Sequence, residues 1–324
     1  MKALRFSQFG EVQAVLHVEE LPRPVPGPGE VLIEVHAASI NPADVKNVQG
    51  SFPQTTLPRT PGRDIAGVVV EGDDKRIGED VWASGGDIGF TRDGSHAEYI
   101  AIPGRGARPR PKTLSMVEAA SVGTNYITAF LGLIKNAGLK EDETVLVTGA
   151  GGGVGSSVIK IAKTKAARVI AVDRQAPDKA GQSGIDLALG SDSDDVVAAV
   201  RDFTGGKGAD VVFDCVGGPL FEIGIKALAL NGRQVNITSV GQTRVGFDLL
   251  DFYRRQLTLF GVNTALLDTI ASGDILDGLR LAFEERRLTP PPLAGTCPLG
   301  EAVDAYRQVG SGAAGGKIVI LFRA

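Results

Sequence analysis

The stretch Thr144-Val-Leu-Val-Thr-Gly-Ala-Gly-Gly-Gly-Val-Gly-Ser-Ser-Val-Ile-Lys160 decides the fold of this chain. It begins with a short apolar run rich in β-branched residues, which predicts a buried parallel strand. A glycine-rich turn follows, and apolar residues at helical spacing come after the turn. A strand, a glycine turn and a helix in this order indicate the start of a βαβ unit.

The glycine turn has the pattern of a binding site for a pyrophosphate. Its best register to G-x-G-x-x-G places Ala150, Gly152 and Gly155 in the small-residue positions. Gly152 lets the backbone approach the anion closely, and Gly155 lets the helix pack on the strand. The free N–H groups around Gly152, Gly153 and Val154 at the start of the helix would bind the phosphates. A glycine-rich turn without a ligand is the alternative interpretation.

Two further strand-like runs favour a dinucleotide site over a plain turn. The run Arg168–Asp173 ends in an acid ~20 residues after the glycine turn, where a ribose-binding acid is expected. The run Ala209–Asp214 ends beside Gly217 and Gly218. Three such runs in succession fit the context that this motif requires.

Composition limits the classes of function. The 324 residues are 43% hydrophobic and 22% charged, which is ordinary for a globular chain long enough for two domains. The net charge of −4 gives no long-range attraction to nucleic acid or to an anionic membrane. No apolar run in the sequence approaches the ~20 residues that span a bilayer. With no apolar leader at the N-terminus and few cysteines, we expect a reduced, cytoplasmic protein without nucleic-acid or membrane partners.

The patterns along the chain predict an α/β protein with two domains. Short strands punctuated by glycine and proline dominate the first part and indicate a β-rich barrel. Strand and helix patterns then alternate, which predicts a doubly wound parallel sheet. Its candidate strands are Thr144–Thr148, Arg168–Val172, Leu187–Leu189, Val211–Asp214, Gln234–Ile237 and Leu257–Gly261.

The same patterns predict the boundaries between the two domains. Ser115 and Glu118 form a capping-box pattern for a helix to about Ala120, and a second helix is expected over Thr124–Asn136. The tail, Gly315–Phe322, predicts a strand that returns to the first domain. We therefore predict a discontinuous β-rich domain of residues 1–120 and 265–324 and a dinucleotide-binding domain of residues 121–264.

In these features the sequence resembles the medium-chain dehydrogenase/reductases, most closely their zinc-free quinone oxidoreductases and enoyl-reductase relatives. The resemblance covers nearly the whole chain and implies a GroES-like catalytic domain with a Rossmann cofactor domain. The matching pieces are Pro26–Leu32, Asn41-Pro42-Ala-Asp44, Pro61-Gly-x-Asp-x-Ala-Gly67, Ala119–Thr128, Gly149–Ser156, and Asp210–Asp214 with Gly217.

The resemblance also indicates whether this chain has the residues of a zinc site. Its zinc-dependent members have a Gly-His-Glu motif and a cysteine in the preceding turn, whereas this chain has Gly62-Arg63-Asp64 and Ser39-Ile-Asn41. A catalytic zinc needs about three Cys, His or carboxylate ligands. The histidines, His17, His36 and His96, have no motif spacing, so each is expected to be structural. We predict that the protein binds no metal.

Without a Lewis acid, the expected reaction is hydride transfer to a small molecule that is already electrophilic, namely a quinone, an enone or an unsaturated thioester. The resemblance implies catalytic roles for Asn41, Asp44 and Thr128 and a pocket near Phe52, Asn125 and Lys317, in a cleft between the domains. Asn41 is equally well explained as a helix cap. Many relatives have a tyrosine at the position of Phe52, and its absence favours a quinone or enone over a thioester.

The resemblance implies NADPH as the cofactor, although the residues conflict. Asp173 favours NADH because a carboxylate repels a 2′-phosphate. Arg174 or Lys179 could instead bind that phosphate. By resemblance, further cofactor contacts are expected at Cys215, Val216, Val240, Gly261 and Val262.

Three functions remain open from the sequence. The first is a quinone or enone reductase, and the second is an enoyl-thioester reductase. The second would need a basic entrance for a CoA phosphate, for which Arg59, Arg63, Arg105 and Arg108 are candidates. The third is a non-catalytic NADPH-binding protein. In each case relatives suggest a homodimer joined along Leu257–Gly261, a predicted edge strand.

Overall fold

A computed structural model of the chain describes residues 1–177 and 184–323. The chain divides into two compact units, unit 1 with Met1–Ile127 and Thr264–Ala324, and unit 2 with Thr128–Asn263. The first boundary lies after Ile127 rather than after residue 120. In the helix that contains both positions, the Tyr126 hydroxyl donates to the Thr289 carbonyl of unit 1.

Strands and helices are numbered in chain order over the described residues. The strands are β1 Lys2–Arg5, β2 His17–Glu20, β3 Glu30–Ser39, β4 Ile65–Glu71, β5 Asp80–Ala83, β6 Tyr99–Pro103, β7 Arg108–Pro109, β8 Thr144–Thr148, β9 Arg168–Asp173, β10 Leu187–Gly190, β11 Ala209–Asp214, β12 Leu228–Asn236, β13 Thr258–Gly261, β14 Leu293–Pro298 and β15 Lys317–Leu321. The helices are α1 Val12–Val15, α2 Pro42–Val48, α3 Met116–Phe130, α4 Gly153–Lys163, α5 Val196–Phe203, α6 Phe221–Ala227, α7 Leu249–Arg254, α8 Thr269–Glu284 and α9 Ala302–Ser311.

Unit 2 contains the predicted doubly wound sheet. In the described residues its order is β10-β9-β8-β11-β12-β13, and every neighbouring pair is parallel. The near-continuous apolar runs of its strands are buried on both faces, as Leu146 on one face and Val145 and Val147 on the other show. Strand β12 begins at Leu228, six residues before the predicted strand Gln234–Ile237, because Leu228 already pairs with Ala209 of β11.

Unit 1 contains a mostly antiparallel sheet in the order β14-β15-β3-β4-β5-β7, with β6 also paired to β3. Strand β3 is long, and its alternating Val31, Ile33 and Val35 point into a closed apolar core. The C-terminal strand β15 pairs with β3, so the predicted return of the tail to the first domain is confirmed. The GroES-like and Rossmann fold class predicted from the sequence is confirmed in both units.

Helix α3 is continuous where we predicted two helices, and a π-helical segment, Leu131–Asn136, extends it. Gly123 interrupted the sequence pattern for a packing reason, because a Cβ there would lie 2.3 Å from a carboxylate oxygen of Asp64. The predicted capping box is confirmed by bonds in both directions between Ser115 and Glu118.

The continuous stretch Met116–Asn136 changes one expectation from the sequence. Its 21 residues are long and apolar enough to cross a membrane by length and composition, although the sequence pattern suggested no such run. The most apolar window of this stretch is 72% buried inside the protein. Such burial is typical of a helix in a protein core.

Candidate functional site

The carboxyl ends of the parallel strands in unit 2 hold the predicted cofactor residues. The glycine turn connects β8 to α4, and Gly149 has a positive φ of 62° that a residue with a side chain rarely adopts. A Cβ on Gly155 would lie 2.3 Å from the Gly149 carbonyl oxygen, so only glycine allows α4 to approach the turn this closely. Gly155 therefore has the packing role that the fingerprint predicts, and Gly149 provides the turn geometry immediately before the fingerprint.

The start of α4 presents free backbone donors. Gly152 is the N-cap and supplies no side-chain bond, so the N–H groups of the first turn have no partner within the helix. Gly152 is exposed and Gly153 and Val154 are partly exposed, whereas Ala150 is buried beneath them. An anionic group of a ligand fits these donors, which also lie at the positive end of the helix dipole.

Asp173 lies at the end of β9, beside the glycine turn. Its carboxylate accepts from the Gly151 N–H at 3.0 Å and from the Arg174 N–H at 2.9 Å. The acid therefore faces the mouth of the turn, where a ribose-binding acid is expected. The Arg174 side chain is exposed. Lys179, the other predicted phosphate ligand, lies outside the described residues.

Asp214 shapes the turn after β11. One of its oxygens accepts from the Thr148 hydroxyl at 2.6 Å and from the N–H groups of Val216 and Gly217. The Cys215 N–H donates back to the Thr148 hydroxyl, so the ends of β8 and β11 are bonded together. The strand order reverses its direction between these two strands, which is where open α/β sheets bind ligands.

The remaining predicted cofactor residues lie along the same edge of this sheet. The Val240 N–H donates to the Val216 carbonyl, and the Val262 N–H donates to the Asn236 carbonyl at the end of β12. Gly261 ends the neighbouring strand β13 and pairs with Asn236. The described cofactor candidates thus occupy one edge, in positions suited to a dinucleotide.

Unit 1 contains a buried polar cluster around Asp64. Of the described residues, Ser39 and Asn41 donate to its Oδ2, and the Ser84 hydroxyl, the Thr124 hydroxyl and the Thr124 N–H donate to its Oδ1. The side chain is fully buried. Burial favours a raised pKa for Asp64, but the Lys317 ammonium and the bonds from Asn41 and Ser84 outweigh it and lower the pKa. Asp64 is therefore an ionised carboxylate.

Asn41 links this carboxylate to Lys317. The Lys317 Nζ donates to Asn41 Oδ1 at 2.6 Å and to the Ile40 carbonyl at 3.2 Å. Asn41 also begins α2, where its N–H donates to Asp44 Oδ2 at 2.8 Å in a capping box. The structure therefore brings Asn41, Asp44 and Lys317 together, as the sequence suggested, and adds Asp64. Burial lowers the pKa of Lys317, while Asp64 and Asp44 oppose that change.

Asp44 differs from Asp64 in its environment. It is 1% exposed, and its Oδ1 has no partner in the described residues. Burial raises its pKa to about 6, the Asn41 N–H opposes the rise, and the charge of Asp64 adds to it. Asp44 is thus the member of the cluster that gains a proton in mildly acidic solution.

Arg63 occupies the middle of the Gly62-Arg63-Asp64 motif. It is 3% exposed, and its guanidinium donates to the Gly85 carbonyl at 2.9 Å and to the Thr264 carbonyl at 2.9 Å. The expectation that Arg63 belongs to an exposed basic entrance is wrong, because its side chain is buried. Arg59 is bonded to Thr56 and Asp93, and Arg108 forms an ion pair with Asp274.

His96 is a buried residue of unit 1 that is hydrogen-bonded beside the polar cluster. Its Nε2 donates to the Ser39 carbonyl at 3.2 Å, and its Nδ1 accepts from the Tyr306 hydroxyl at 2.8 Å. Burial lowers the pKa of His96 to about 4, so the ring is neutral. Gly62 is required beside it, since a Cβ there would lie 2.4 Å from the ring. His96 is therefore a structural residue, as the sequence suggested.

The donor set of this cluster does not fit zinc. Every nitrogen of His96 is used, both oxygens of Asp64 already accept bonds, and buried cations lie nearby. Within residues 1–177 and 184–323, no group of three or more His, Cys, Asp or Glu side chains could hold a metal ion. A divalent cation would also have to overcome repulsion from Lys317 and Arg63.

The other predicted pocket residues have contacts elsewhere. The Phe52 ring packs edge to face on Phe90 with centroids 5.0 Å apart. The Asn125 side chain donates to the Ser121 carbonyl of its own helix. Thr128 is a buried residue of α3 and belongs to unit 2. The structure thus shows a packing contact for Phe52 and a bond within its own helix for Asn125.

Sequence reasoning missed four members of the cluster. Ser39, Asp64, Ser84 and Thr124 come from separate strands and a helix, and we did not predict them as site residues. One signal was present for Asp64, because two charged residues, Arg63 and Asp64, stand immediately before a buried apolar strand. Charged residues are almost never fully buried unless they are paired.

The chain matches two models of protein families. These are "Zinc-binding dehydrogenase" over residues 153–274 and "Alcohol dehydrogenase GroES-like domain" over residues 27–112. A zinc-type alcohol dehydrogenase-like protein of Schizosaccharomyces pombe is 34% identical over 316 residues, which cover 95% of this chain and 94% of that protein. Human quinone oxidoreductase is 27% identical over 330 residues, covering 99% and 98% of the two chains.

Solved structures show the same architecture. An NAD-dependent alcohol dehydrogenase has a TM-score of 0.88 with 31% identity and full coverage of both chains. The CurK enoyl reductase has a TM-score of 0.84 with 25% identity, covering 99% of this chain and 98% of that one.

Proposed function

The chain belongs to the medium-chain dehydrogenase/reductase superfamily, and from this we propose a zinc-independent oxidoreductase that uses NADPH or NADH to reduce a quinone or an α,β-unsaturated carbonyl compound. One observation carries the proposal. The same chain has, in unit 2, a sheet edge whose turn and free N–H groups suit a nucleotide and, in unit 1, a buried polar cluster with the charged groups Asp64, Lys317 and Arg63.

The residues of unit 2 would hold the cofactor. The free N–H groups of Gly153 and Val154 suit its pyrophosphate, although the N–H of Gly152, which we expected to bind it as well, donates to the Gly149 carbonyl. Asp173 suits the hydroxyls of its adenosine ribose. Cys215 and Val216 would contact its other half, at the turn that Asp214 shapes. The bound nicotinamide supplies the hydride, and the protein supplies orientation and electrostatics.

The choice between the two nucleotides depends on Asp173. The resemblance of the sequence supports NADPH, which would require Arg174 to bind the 2′-phosphate. The carboxylate of Asp173 faces the glycine turn and supports NADH, because a phosphate placed beside it would be repelled. A comparison of kcat/KM for the two nucleotides decides between them.

The acceptor must be electrophilic before it binds. The unit 1 cluster contains no donor set for zinc in the described residues, so a Lewis acid would not activate an alcohol there. Phe52 has no hydroxyl and cannot be a proton donor. We therefore propose that Asn41, Asp44 and Thr128 contact or position the reactants, and that Phe52, Asn125 and Lys317 contribute to the pocket for the acceptor.

An enoyl-thioester reductase is the second candidate, supported by the similarity to the CurK enoyl reductase. Arg105 and Arg108 line a cleft of about 900 Å³ on unit 1, which could accept a phosphate of CoA. Buried Arg63 cannot contribute to it. A non-catalytic nucleotide-binding protein is the third candidate, and it would bind a nicotinamide nucleotide without turnover.

The test is a cofactor-oxidation screen on the purified protein after treatment with a chelator. Quinones, enones and enoyl-CoA esters are offered with NADPH and with NADH, and zinc content is measured in parallel. We expect turnover with quinones or enones that does not depend on added zinc. Turnover confined to enoyl-CoA would support the second candidate, and activity that requires zinc would overturn the proposal.

We further propose a cytoplasmic homodimer. Strand β13 is an edge of the described sheet, and Leu249, Leu250 and Tyr253 in the preceding helix α7 are exposed. Such edges are usually paired or covered. Sedimentation of the purified protein tests this, and a monomer at all concentrations would overturn it.

A further inference from the structure

The side-chain amide of Asn41 lies between a residue that can only donate and one that can only accept. The Lys317 ammonium bonds its oxygen at 2.6 Å, and its nitrogen bonds Asp64 at 2.9 Å. An ammonium has no acceptor, and an ionised carboxylate has no donor. If the amide were flipped, two donors would face each other at Lys317 and two acceptors would face each other at Asp64. The chemistry of the neighbours therefore fixes one orientation of Asn41.

This arrangement leaves Asn41 with one unused N–H donor, while its oxygen already accepts from a cation. Its Oδ1 is occupied by Lys317, and one Nδ2–H is occupied by Asp64. The second Nδ2–H has no partner in the described residues. Asn41 can therefore offer a hydrogen bond to a ligand, but its oxygen is already engaged by a cation. An acceptor such as a carbonyl oxygen suits this N–H, whereas a ligand donor would have to approach an oxygen that the Lys317 ammonium already holds.

The charge of Lys317 makes this donor stronger, whereas the bond to Asp64 orients it. Lys317 withdraws electron density through the amide oxygen, and its position is fixed by a second bond to the Ile40 carbonyl. Asn41 and Lys317 are 2% and 5% exposed, so the bonds lie in a medium of low dielectric constant. Charge-assisted hydrogen bonds are about twice as strong as neutral ones. A polarised amide held in one orientation is suited to stabilise a developing negative charge.

We propose that Asn41 donates its free Nδ2–H to the carbonyl oxygen of the acceptor and that Lys317 is a positioning residue that orients and polarises this amide. The inference rests on the proposed function and names its substrate class, an acceptor whose reducible bond is conjugated to a carbonyl. A bound reduced nicotinamide would supply the hydride to the acceptor, and the displaced electron pair would move onto the carbonyl oxygen that Asn41 bonds. Water would supply the proton that completes the reduction.

The kinetic test compares Lys317→Met with the charge-keeping variant Lys317→Arg. Loss of the cation is expected to lower kcat for the best quinone or enone about 10- to 100-fold with little change in KM, because the contact strengthens as charge develops. Lys317→Arg should recover most of kcat. Burial lowers the pKa of Lys317, so wild-type kcat should fall in alkaline solution, whereas the arginine variant should keep its activity there.

A second measurement does not depend on turnover. In ¹⁵N–¹H spectra the side-chain amide protons of Asn41, assigned by their loss in Asn41→Ser, should give two separate signals. These signals should shift with alkaline pH in the wild type and stay fixed in Lys317→Arg. A folded Lys317→Met variant should show both signals displaced.

The outcomes separate this inference from the proposed function. Wild-type turnover together with a Lys317→Met variant that keeps wild-type kcat would overturn the inference alone. Asn41 signals that are identical in the wild type and in Lys317→Met would overturn the orienting role of Lys317. Absence of turnover with every carbonyl acceptor would overturn the proposed function and the carbonyl contact, while the spectra would still decide whether Lys317 fixes the amide.

Discussion

Lys317 and Asn41 lie 276 positions apart in the chain, and the Lys317 ammonium donates to the Asn41 side-chain oxygen across 2.6 Å. Strand β15 makes this contact possible, because it pairs with β3, whose end leads directly into Asn41. The last strand of the chain therefore completes the polar cluster of unit 1. The buried charge of Lys317 would be unbalanced without Asp64 and Asp44, so the cluster forms together with the fold of this unit.

Gly123 is expected to be the most sensitive glycine of helix α3. In Gly123→Ala the new Cβ would lie 2.3 Å from Asp64 Oδ1, and Asp64 cannot turn away because several hydrogen bonds hold both of its oxygens. We expect a loss of roughly 1–3 kcal/mol in the free energy of unfolding, the range for overpacking a core. Urea unfolding followed by circular dichroism measures it.

The matched control for this substitution is Gly278→Ala in helix α8. Gly278 is exposed, and a Cβ there meets nothing within 4 Å. Alanine should stabilise that helix by up to ~1 kcal/mol, since it has the higher helix propensity. Equal effects at both positions would show that Asp64 does not lie against the helix as described.

Asp44→Asn is expected to change how stability depends on pH. The pKa of Asp44 is about 6 in the folded protein and 3.8 as the reference value. The favourable contribution of Asp44 to the free energy of unfolding is therefore fully present below about pH 4 and is lost as the pH rises through 6. The asparagine variant should be more stable than the wild type at pH 8 by roughly 1–3 kcal/mol, and this advantage should disappear near pH 4. A difference that is constant over this range would contradict the environment assigned to Asp44.

His96 should have the opposite effect on how stability depends on pH, over nearly the same pH range as Asp44. Its pKa is about 4 in the fold against 6.5 as the reference value, so its contribution is present above pH 6.5 and lost as the pH falls through 4. In His96→Gln the decline of melting temperature between these pH values should be smaller than in the wild type. The exposed His17 provides the control, since His17→Gln should leave the decline unchanged. Should both variants behave alike, the ring of His96 would not be buried and neutral.

The parts of this structure that the sequence predicted are those with local signals. The strands of unit 2 are continuous apolar runs, and the glycine turn has its own spacing, so neither depends on knowing the rest of the fold. Strand β14, Leu293–Pro298, was missed because nearly all of its residues are exposed and it contains no apolar alternation. Gly123 misled the helix prediction because the need for a small residue arises from Asp64, far away in the sequence.

The polar cluster had no such local signal. Ser39, Asp64, Ser84 and Thr124 are ordinary residues in their own segments, and only the pairing of β3, β4 and β5 brings the first three together. The resemblance named Asn41 and Lys317, but their partners and the fixed orientation of the amide follow from the three-dimensional structure alone. Long-range polar contacts of this kind leave no periodicity in the sequence to detect.

Asp173→Ser is expected to shift nucleotide preference. The carboxylate of Asp173 faces the glycine turn, where it would repel a 2′-phosphate. Its removal should raise the ratio of kcat/KM for NADPH to that for NADH about 10- to 100-fold, which corresponds to about 1.4–2.8 kcal/mol of repulsion. Asp202→Ser removes the same charge from an exposed position on helix α5 and should leave the ratio unchanged. A ratio that is unaffected in both variants would mean that Asp173 does not contact the adenosine ribose.

Gly155→Ala tests the nucleotide site itself. A Cβ at this position would lie 2.3 Å from the Gly149 carbonyl oxygen and 2.9 Å from the Ala150 Cα, both parts of the backbone that cannot turn aside. The start of helix α4 must therefore move away from the glycine turn, which displaces the free N–H groups of Gly153 and Val154. We expect the Kd for NADPH and NADH to rise at least about tenfold, or 1.4 kcal/mol. Gly246→Ala in the same unit adds a methyl group where nothing lies within 4 Å, so it should leave the Kd unchanged. Calorimetric titration of both folded variants makes the comparison, and unaltered affinity in Gly155→Ala would place the pyrophosphate away from this turn.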